Sequence, residues 1–223
     1  MTFQEMQDLL WQRIDQSGSP AFTPIETDRL LNWASDVYYI VNRSIFNKDQ
    51  KNTVNLTYLM RPFILLNTNK VTVVGAGADI PDYRDLAIMT ATFPFTDCNQ
   101  VVTNKPVNVV PMPMSATDRN MVDPFNKPTN QFPFYKQAHD GAFRTIEISS
   151  TTVPVSVQGY YFKTLQVIDA TNNPTAVFEG QDYIARQIVD IAKVLMKGDV
   201  DDYAAVKNAM QETGLTMGTL WQA

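Results

Sequence analysis

Thr23-Pro24-Ile25-Glu26-Thr27-Asp28-Arg29-Leu30-Leu31-Asn32-Trp33-Ala34 is the stretch on which the fold turns. Thr23 offers the side-chain oxygen of an N-cap. Pro24 suits the first helical position, where a missing N–H is no loss, and Glu26 stands three residues after the cap to complete a capping box. Leu30, Ala34, Val37, Val41 and Ile45 then recur at helical intervals, which predicts a helix over about 24–46. Trp33, Tyr38 and Tyr39 widen its apolar face, and the ordinary role of such a face is core packing.

Toward the N-terminus, Ser17-Gly18-Ser19-Pro20 is a break, and before it Thr2 and Glu5 repeat the capping spacing. Phe3, Met6, Leu10 and Ile14 follow at helical intervals, predicting a first helix at about 3–16. In the other direction the pattern changes after Asn47 to short apolar runs, Tyr58 to Met60, Phe63 to Leu66 and Val71 to Val74, which read as short strands. Residues 86–93 fit either type, with Pro94 and the threonines favouring strand. Ile146, Ile148, Val153, Val155 and Val157 alternate around Ser149-Ser150-Thr151-Thr152, which reads as a hairpin running to about Phe162, its second strand placed at an edge by Pro154. Glu179 and Gly180 open another helix with the stripe Ile184, Ile188, Ile191 and Leu195, closed by Gly198. Asp199 caps a further one with Tyr203, Val206 and Met210 on one face, stopped by Gly214. The sequence therefore predicts an α+β fold. N- and C-terminal helices (1–46 and 179–214) form a helical bundle, 47–178 is a β-rich middle, and 215–223 is a tail.

Between Lys105 and Pro133 there are six prolines in 29 residues, a composition that excludes a helix or a central strand and predicts a long proline-rich excursion, 105–135. Met112, Met114, Met121, Phe125, Phe132, Phe134 and Tyr135 make it too apolar to prefer water. It lies either on the chain's own body or on a neighbouring subunit. Leu215, Met217, Leu220 and Trp221 give the tail the same character.

The chemistry available is sparse. The 223 residues hold one histidine, His139, and one cysteine, Cys98, whereas hydrolytic or metal-assisted reactions draw on a nucleophile with a base or on several ligands. The expectation is a non-enzymatic protein with no cofactor and no metal. Val73-Val74-Gly75-Ala76-Gly77 opens like a dinucleotide loop, but the third glycine position is Ile80 and Pro81 follows where a helix should begin. His139 beside Asp140 is adjacent in sequence rather than set up as a base and its orienter, and a surface or loop histidine is the plainer account. Cys98 has no basic neighbour to activate it and reads as a small buried or idle thiol. Asp79, Asp82 and Asp85, three apart, lack the dense oxygen series of a calcium loop.

Charge is unevenly spread. Residues 1–50 carry seven acids and four bases, 51–178 nine and ten, and 179–223 seven and four, for a net −5. Without a Lys/Arg cluster the chain lacks the footprint of a protein that grips DNA phosphates. No basic start leads into an apolar run, and no stretch reaches the roughly 18 apolar residues of a membrane span, so a soluble compartment and no membrane partner are expected. One cysteine makes no internal disulfide, as fits reducing cytosol. Asn42-Arg43-Ser44 and Asn55-Leu56-Thr57 are chance matches to the glycosylation pattern.

The order of the pieces resembles a known family. A short helix, the Ser17–Pro20 break, a threonine-capped long helix with Leu30-Leu31-Asn32-Trp33-Ala34 and the step Pro81-Asp82-Tyr83-Arg84-Asp85 are similar to the head-to-tail adaptor proteins of tailed bacteriophages. So are Asn126-Lys127-Pro128-Thr129-Asn130 with Phe132-Pro133, Val157-Gln158-Gly159-Tyr160-Tyr161 and an Ile- and Ala-rich closing helix. The chain most resembles the ring proteins of podovirus-like tails, particularly those of crAss-like phages of gut Bacteroidales. The resemblance implies a structural virion protein of the tail or neck, made in the host bacterial cytoplasm. It implies a homo-oligomeric ring, commonly a dodecamer, docked under the portal protein and joined to adjacent tail ring or nozzle proteins. DNA is then only cargo passing through the channel, for which the acid excess of the helical ends suits a repelling wall. In that setting the apolar excursion and tail become portal-binding or subunit-binding anchors. Two other classes stand beside it: a β-rich receptor- or glycan-binding module, and an enzyme using His139.

Overall fold

The computed structural model describes residues 1–14, 23–48, 58–74, 77–112, 127–140 and 143–198. Within them run α1 (Phe3–Ile14), α2 (Pro24–Lys48), β1 (Met60–Leu66), β2 (Lys70–Val74), β3 (Tyr83–Thr96), β4 (Val102–Asn108), β5 (Val110–Pro111), β6 (Phe134–Asp140), β7 (Phe143–Ser149), β8 (Ser156–Lys163) and α3 (Asp182–Gly198). The fold is α+β, with helices toward both ends and a β-rich middle. The chain divides into two compact units, one from Met1–Leu59 and Leu165–Ala223, the other from Met60–Thr164.

In the helical unit both capping boxes form. Thr2 N–H donates to Glu5 Oε2 at 2.7 Å, Thr23 N–H donates to Glu26 Oε2 at 2.8 Å, and each threonine Oγ1 accepts the returning backbone N–H. The Thr23 amide and hydroxyl hold the Glu26 carboxyl below the usual carboxylate range. Phe3, Met6 and Leu10 of α1, Leu31, Ala34, Tyr38 and Val41 of α2, and Ile184, Ile188 and Ile191 of α3 are buried. Trp33 departs from the sequence reading: it is 52% exposed. The inward positions near it go instead to Asp28 and Asn32. Asp28 accepts from Ala170 N–H at 3.1 Å, Thr171 N–H at 3.0 Å, the Thr171 hydroxyl at 2.5 Å and Gln7 Nε2 at 3.3 Å. Asn32 donates to Ile168 O and accepts Ile168 N–H. These bonds fasten the segment after β8 to α2, which is why residues from Leu165 belong with the helices. Phe3 N–H to Ala176 O and Phe178 N–H to Met1 O secure its far end.

The other unit is two four-stranded sheets, ordered β1-β8-β3-β4 and β2-β7-β6-β5. Val71, Val73, Ile146 and Ile148 of one sheet and Met89, Ala91, Phe93, Val157 and Tyr161 of the other share one core, as in a sandwich. Residues 86–93 are strand, inside β3. The expected hairpin at 146–162 does not form. β7 and β8 lie in different sheets, and 150–155 carries the chain from one to the other, so β8 is an interior strand between β1 and β3. Pro154 precedes β8 rather than marking an edge. The excursion is also shorter than 105–135. Its start is edge strand β4 with Pro106, then β5 with Pro111, and its end is β6; Val109, buried, turns the corner between sheets. Edge strands tolerate proline because its nitrogen faces away from the ladder. Gly159 is required by contact: a Cβ there would lie 2.0 Å from the Ile88 carbonyl oxygen, at the irregularity between Leu86 and Ile88.

Candidate functional site

The two sheets turn different chemistry outward. On the first, the pairs Pro62–Tyr160–Ile88, Ile64–Gln158–Thr90–Asn108 and Leu66–Ser156–Thr92–Pro106 follow from the register. None of these positions is Asp, Glu, Lys or Arg. Ile64 is 63% exposed, Leu66 68% and Tyr160 50%. A depression of about 480 Å³ lies among Pro62, Ile64, Ile88 and Tyr160. An uncharged, partly apolar face is the kind of surface that protein partners cover.

The second sheet presents charge. Lys70 of β2, Glu147 of β7 and Lys136 of β6 stand opposite one another across three strands. Lys136 Nζ is 3.0 Å and Lys70 Nζ 3.8 Å from the Glu147 carboxylate. With Lys127, Pro128, Ser149 and Ser150 they line a cleft of about 450 Å³.

The strand edges are blunted against additional strands. Pro62 in β1, Pro106 in β4 and Pro111 in β5 each lack the N–H an added strand would bond. At the remaining edge, β2, the Thr72 N–H already donates to Asp79 Oδ2 at 2.8 Å and the Thr72 carbonyl accepts Asp79 N–H. Gly77, at φ 73°, makes the turn that brings Asp79 back.

Of the anchors expected from sequence, Phe132 is 70% exposed on a fixed turn. Thr129 and Phe132 exchange backbone bonds, and Asn130 holds Thr152 through a 2.9 Å bond to its hydroxyl and a 3.1 Å bond from its amide. Met112 donates its N–H to Tyr135 O, and Phe134 is half-buried. Tyr135 packs against the sandwich core, and burial followed by the Asp85 charge pushes its hydroxyl pKa up. Met114, Met121, Phe125, Leu215, Met217, Leu220 and Trp221 lie outside the described residues, as does the helix expected at 199–214. The outer face with Ile64, Leu66 and Tyr160 was missed by sequence reasoning, as was the exposed Trp33.

The residues weighed for chemistry are dispersed. His139 is in strand β6, opposite Arg144, rather than in a loop. Cys98 is exposed in the turn between β3 and β4, not buried. Asp79 caps β2, while Asp82 accepts the Tyr161 hydroxyl at 2.6 Å and pairs with Arg61 at 2.7 Å. Burial, then the bond and charge of Asp82, push the Tyr161 pKa up to about 12. Among the described residues no group of three or more His, Cys, Asp or Glu is placed to hold a metal ion, and no helix is long and apolar enough to cross a membrane.

No protein-family model matches the chain, and no curated protein matches it.

Proposed function

We propose that this chain is a structural virion protein, the ring-forming subunit of a head-to-tail connector that joins the portal to the tail and encloses part of the DNA channel. The observation that carries the reading is the uncharged outer face of β1-β8-β3, where Ile64, Leu66 and Tyr160 stand exposed on a rigid sheet. A copy alone in water leaves these side chains wet, and contact with another subunit or ring covers them. Phe132, presented on its pinned turn, adds an anchor whose ordering cost is already met within the fold. The order of helices, break and capped long helix that resembles the ring proteins of podovirus-like and crAss-like phages supports the same conclusion. No catalytic group enters it, and DNA is cargo.

Native mass measurement with negative-stain imaging tests the proposal. A closed multimer, or a monomer that closes into a ring when portal particles are added, is the expected result. A chain that stays monomeric at high concentration and in the presence of portals would overturn it.

A further inference from the structure

We infer that the lysine cleft on the outer side of β2-β7-β6 is a contact site between copies of this chain, and that its occupant is a carboxylate-bearing surface of the neighbouring copy's helical unit. The inference rests on the ring reading and names how adjacent subunits meet.

Charge is the ground for it. Met1–Leu59 with Leu165–Ala223 holds fifteen acids and nine bases, net −6, while Met60–Thr164 holds eight and nine, net +1. Within the sandwich, three of the nine bases line one cleft. Lys70 and Lys136 flank the single carboxylate of Glu147 from adjacent strands, and Lys127 stands at the same cleft with no carboxylate partner among the described residues. Among the described residues, three ammonium groups stand against one carboxylate in a cleft of about 450 Å³. Lys70 and Lys136 remain 50% and 44% exposed, so their remaining donors are open to an incoming acceptor.

Geometry then selects the mode of association. A two-fold contact that brought this cleft against itself would set lysines against lysines. A head-to-tail contact sets it against the acidic unit of the next copy, the pairing that complementary potentials favour and the kind that closes into rings. Glu147, paired with both Lys70 and Lys136, disfavours a carboxylate entering at the centre rather than beside Lys127.

The test replaces Lys70, Lys127 and Lys136 with glutamine in the full chain and compares assembly with wild type by sedimentation velocity, with urea unfolding as the control for folding. Each exposed ion pair lost weakens association by up to roughly fivefold, so the triple variant should need up to about a hundredfold higher concentration to form rings. Wild-type assembly should weaken as salt rises, and that dependence should flatten in the variant. Lys127→Gln alone, on a loop and outside the cross-strand row, provides a second variant should the triple fail to fold, and should still blunt the salt dependence. Rings forming in the variants at the wild-type concentration and with the wild-type salt dependence would overturn the inference and leave the ring reading standing. A wild-type chain that never assembles, with or without portals, would remove both.

Discussion

Replacing Ile64 and Leu66 together with lysine separates a face built for partners from a face that belongs to the core. Ile64 is 63% exposed and Leu66 68%, so about two-thirds of each side chain is left for another molecule to cover. Full burial of such a side chain is worth about 1.5–3 kcal/mol, so the uncovered part offers about 1–2 kcal/mol each and about 2–4 kcal/mol for the pair at one contact. In affinity that is about thirtyfold to a thousandfold. The folded monomer should hardly change, by about 0.5 kcal/mol or less, because neither side chain is packed and lysine suits an edge strand such as β1. Urea unfolding gives the first number, and mass photometry over a concentration series gives the second. Assembly unchanged by the double substitution would refute the role given to this face. A stability loss above about 2 kcal/mol would show that the two residues hold the fold rather than a partner.

Asp28→Ala should destabilise the chain by about 2–5 kcal/mol, since it strands the Ala170 and Thr171 amides in a buried site; Asp28→Asn, keeping one acceptor oxygen, should cost less. Urea titration checks both, and a loss under about 1 kcal/mol for the alanine variant would contradict the account of how 168–171 is held. Gly159→Ala should cost about 3 kcal/mol or prevent soluble expression, because its Cβ meets a backbone oxygen at 2.0 Å that no side-chain rotation relieves; thermal unfolding at wild-type temperature would sink that claim. Tyr161 binds its proton more tightly folded than unfolded, its pKa being pushed up to about 12 from an ordinary value near 10. Its contribution to stability is therefore fully present below about pH 10 and is lost as pH rises through about 12. Asp82→Asn removes the charge that assists burial, so phenolate absorbance in the folded protein should emerge at lower pH than in wild type.

Much of the helical unit was legible because its signals are local. Thr2 with Glu5 and Thr23 with Glu26 each settle a helix start within four residues, and the structure forms both boxes. Trp33 was misread for a reason that lies far along the chain. Asp28 and Asn32 turn inward because the backbone at 168–171 needs acceptors and donors there, and that rotates the apolar stripe toward Leu31 and away from Trp33. The sandwich was legible as strands but not as sheets. Alternation in 146–157 is the same whether β7 and β8 pair or lie on opposite sheets, because period two specifies a face and not a neighbour. The run of Pro62 to Leu66 reads as a short strand without telling which side is covered, and β1 is an edge strand with one side open. Pro62 within that run was the signal for an edge, and with it the exposed row of Ile64 and Leu66 was within reach. The Lys70–Glu147–Lys136 row needed the register of three strands; β6 and β7 follow one another in the chain, but Lys70 of β2 lies more than 60 residues before them, a distance no local pattern bridges.

The edges and faces of the sandwich bear on association together. A sheet protein with open edges grows by adding strands, a contact that does not discriminate between a correct neighbour and an aggregate. Here Pro62, Pro106 and Pro111 remove donors from three edges and the Asp79 turn occupies the fourth, so that route is obstructed throughout. Association is then left to side chains, and the two outer faces offer different ones: apolar and uncharged on β1-β8-β3, cationic on β2-β7-β6. The apolar face can pair with its own copy, whereas the cationic face cannot without setting lysine against lysine. On the ring proposal, that restriction at the cationic face favours a head-to-tail contact of defined direction there, and a defined direction is what repeated closure into a ring requires.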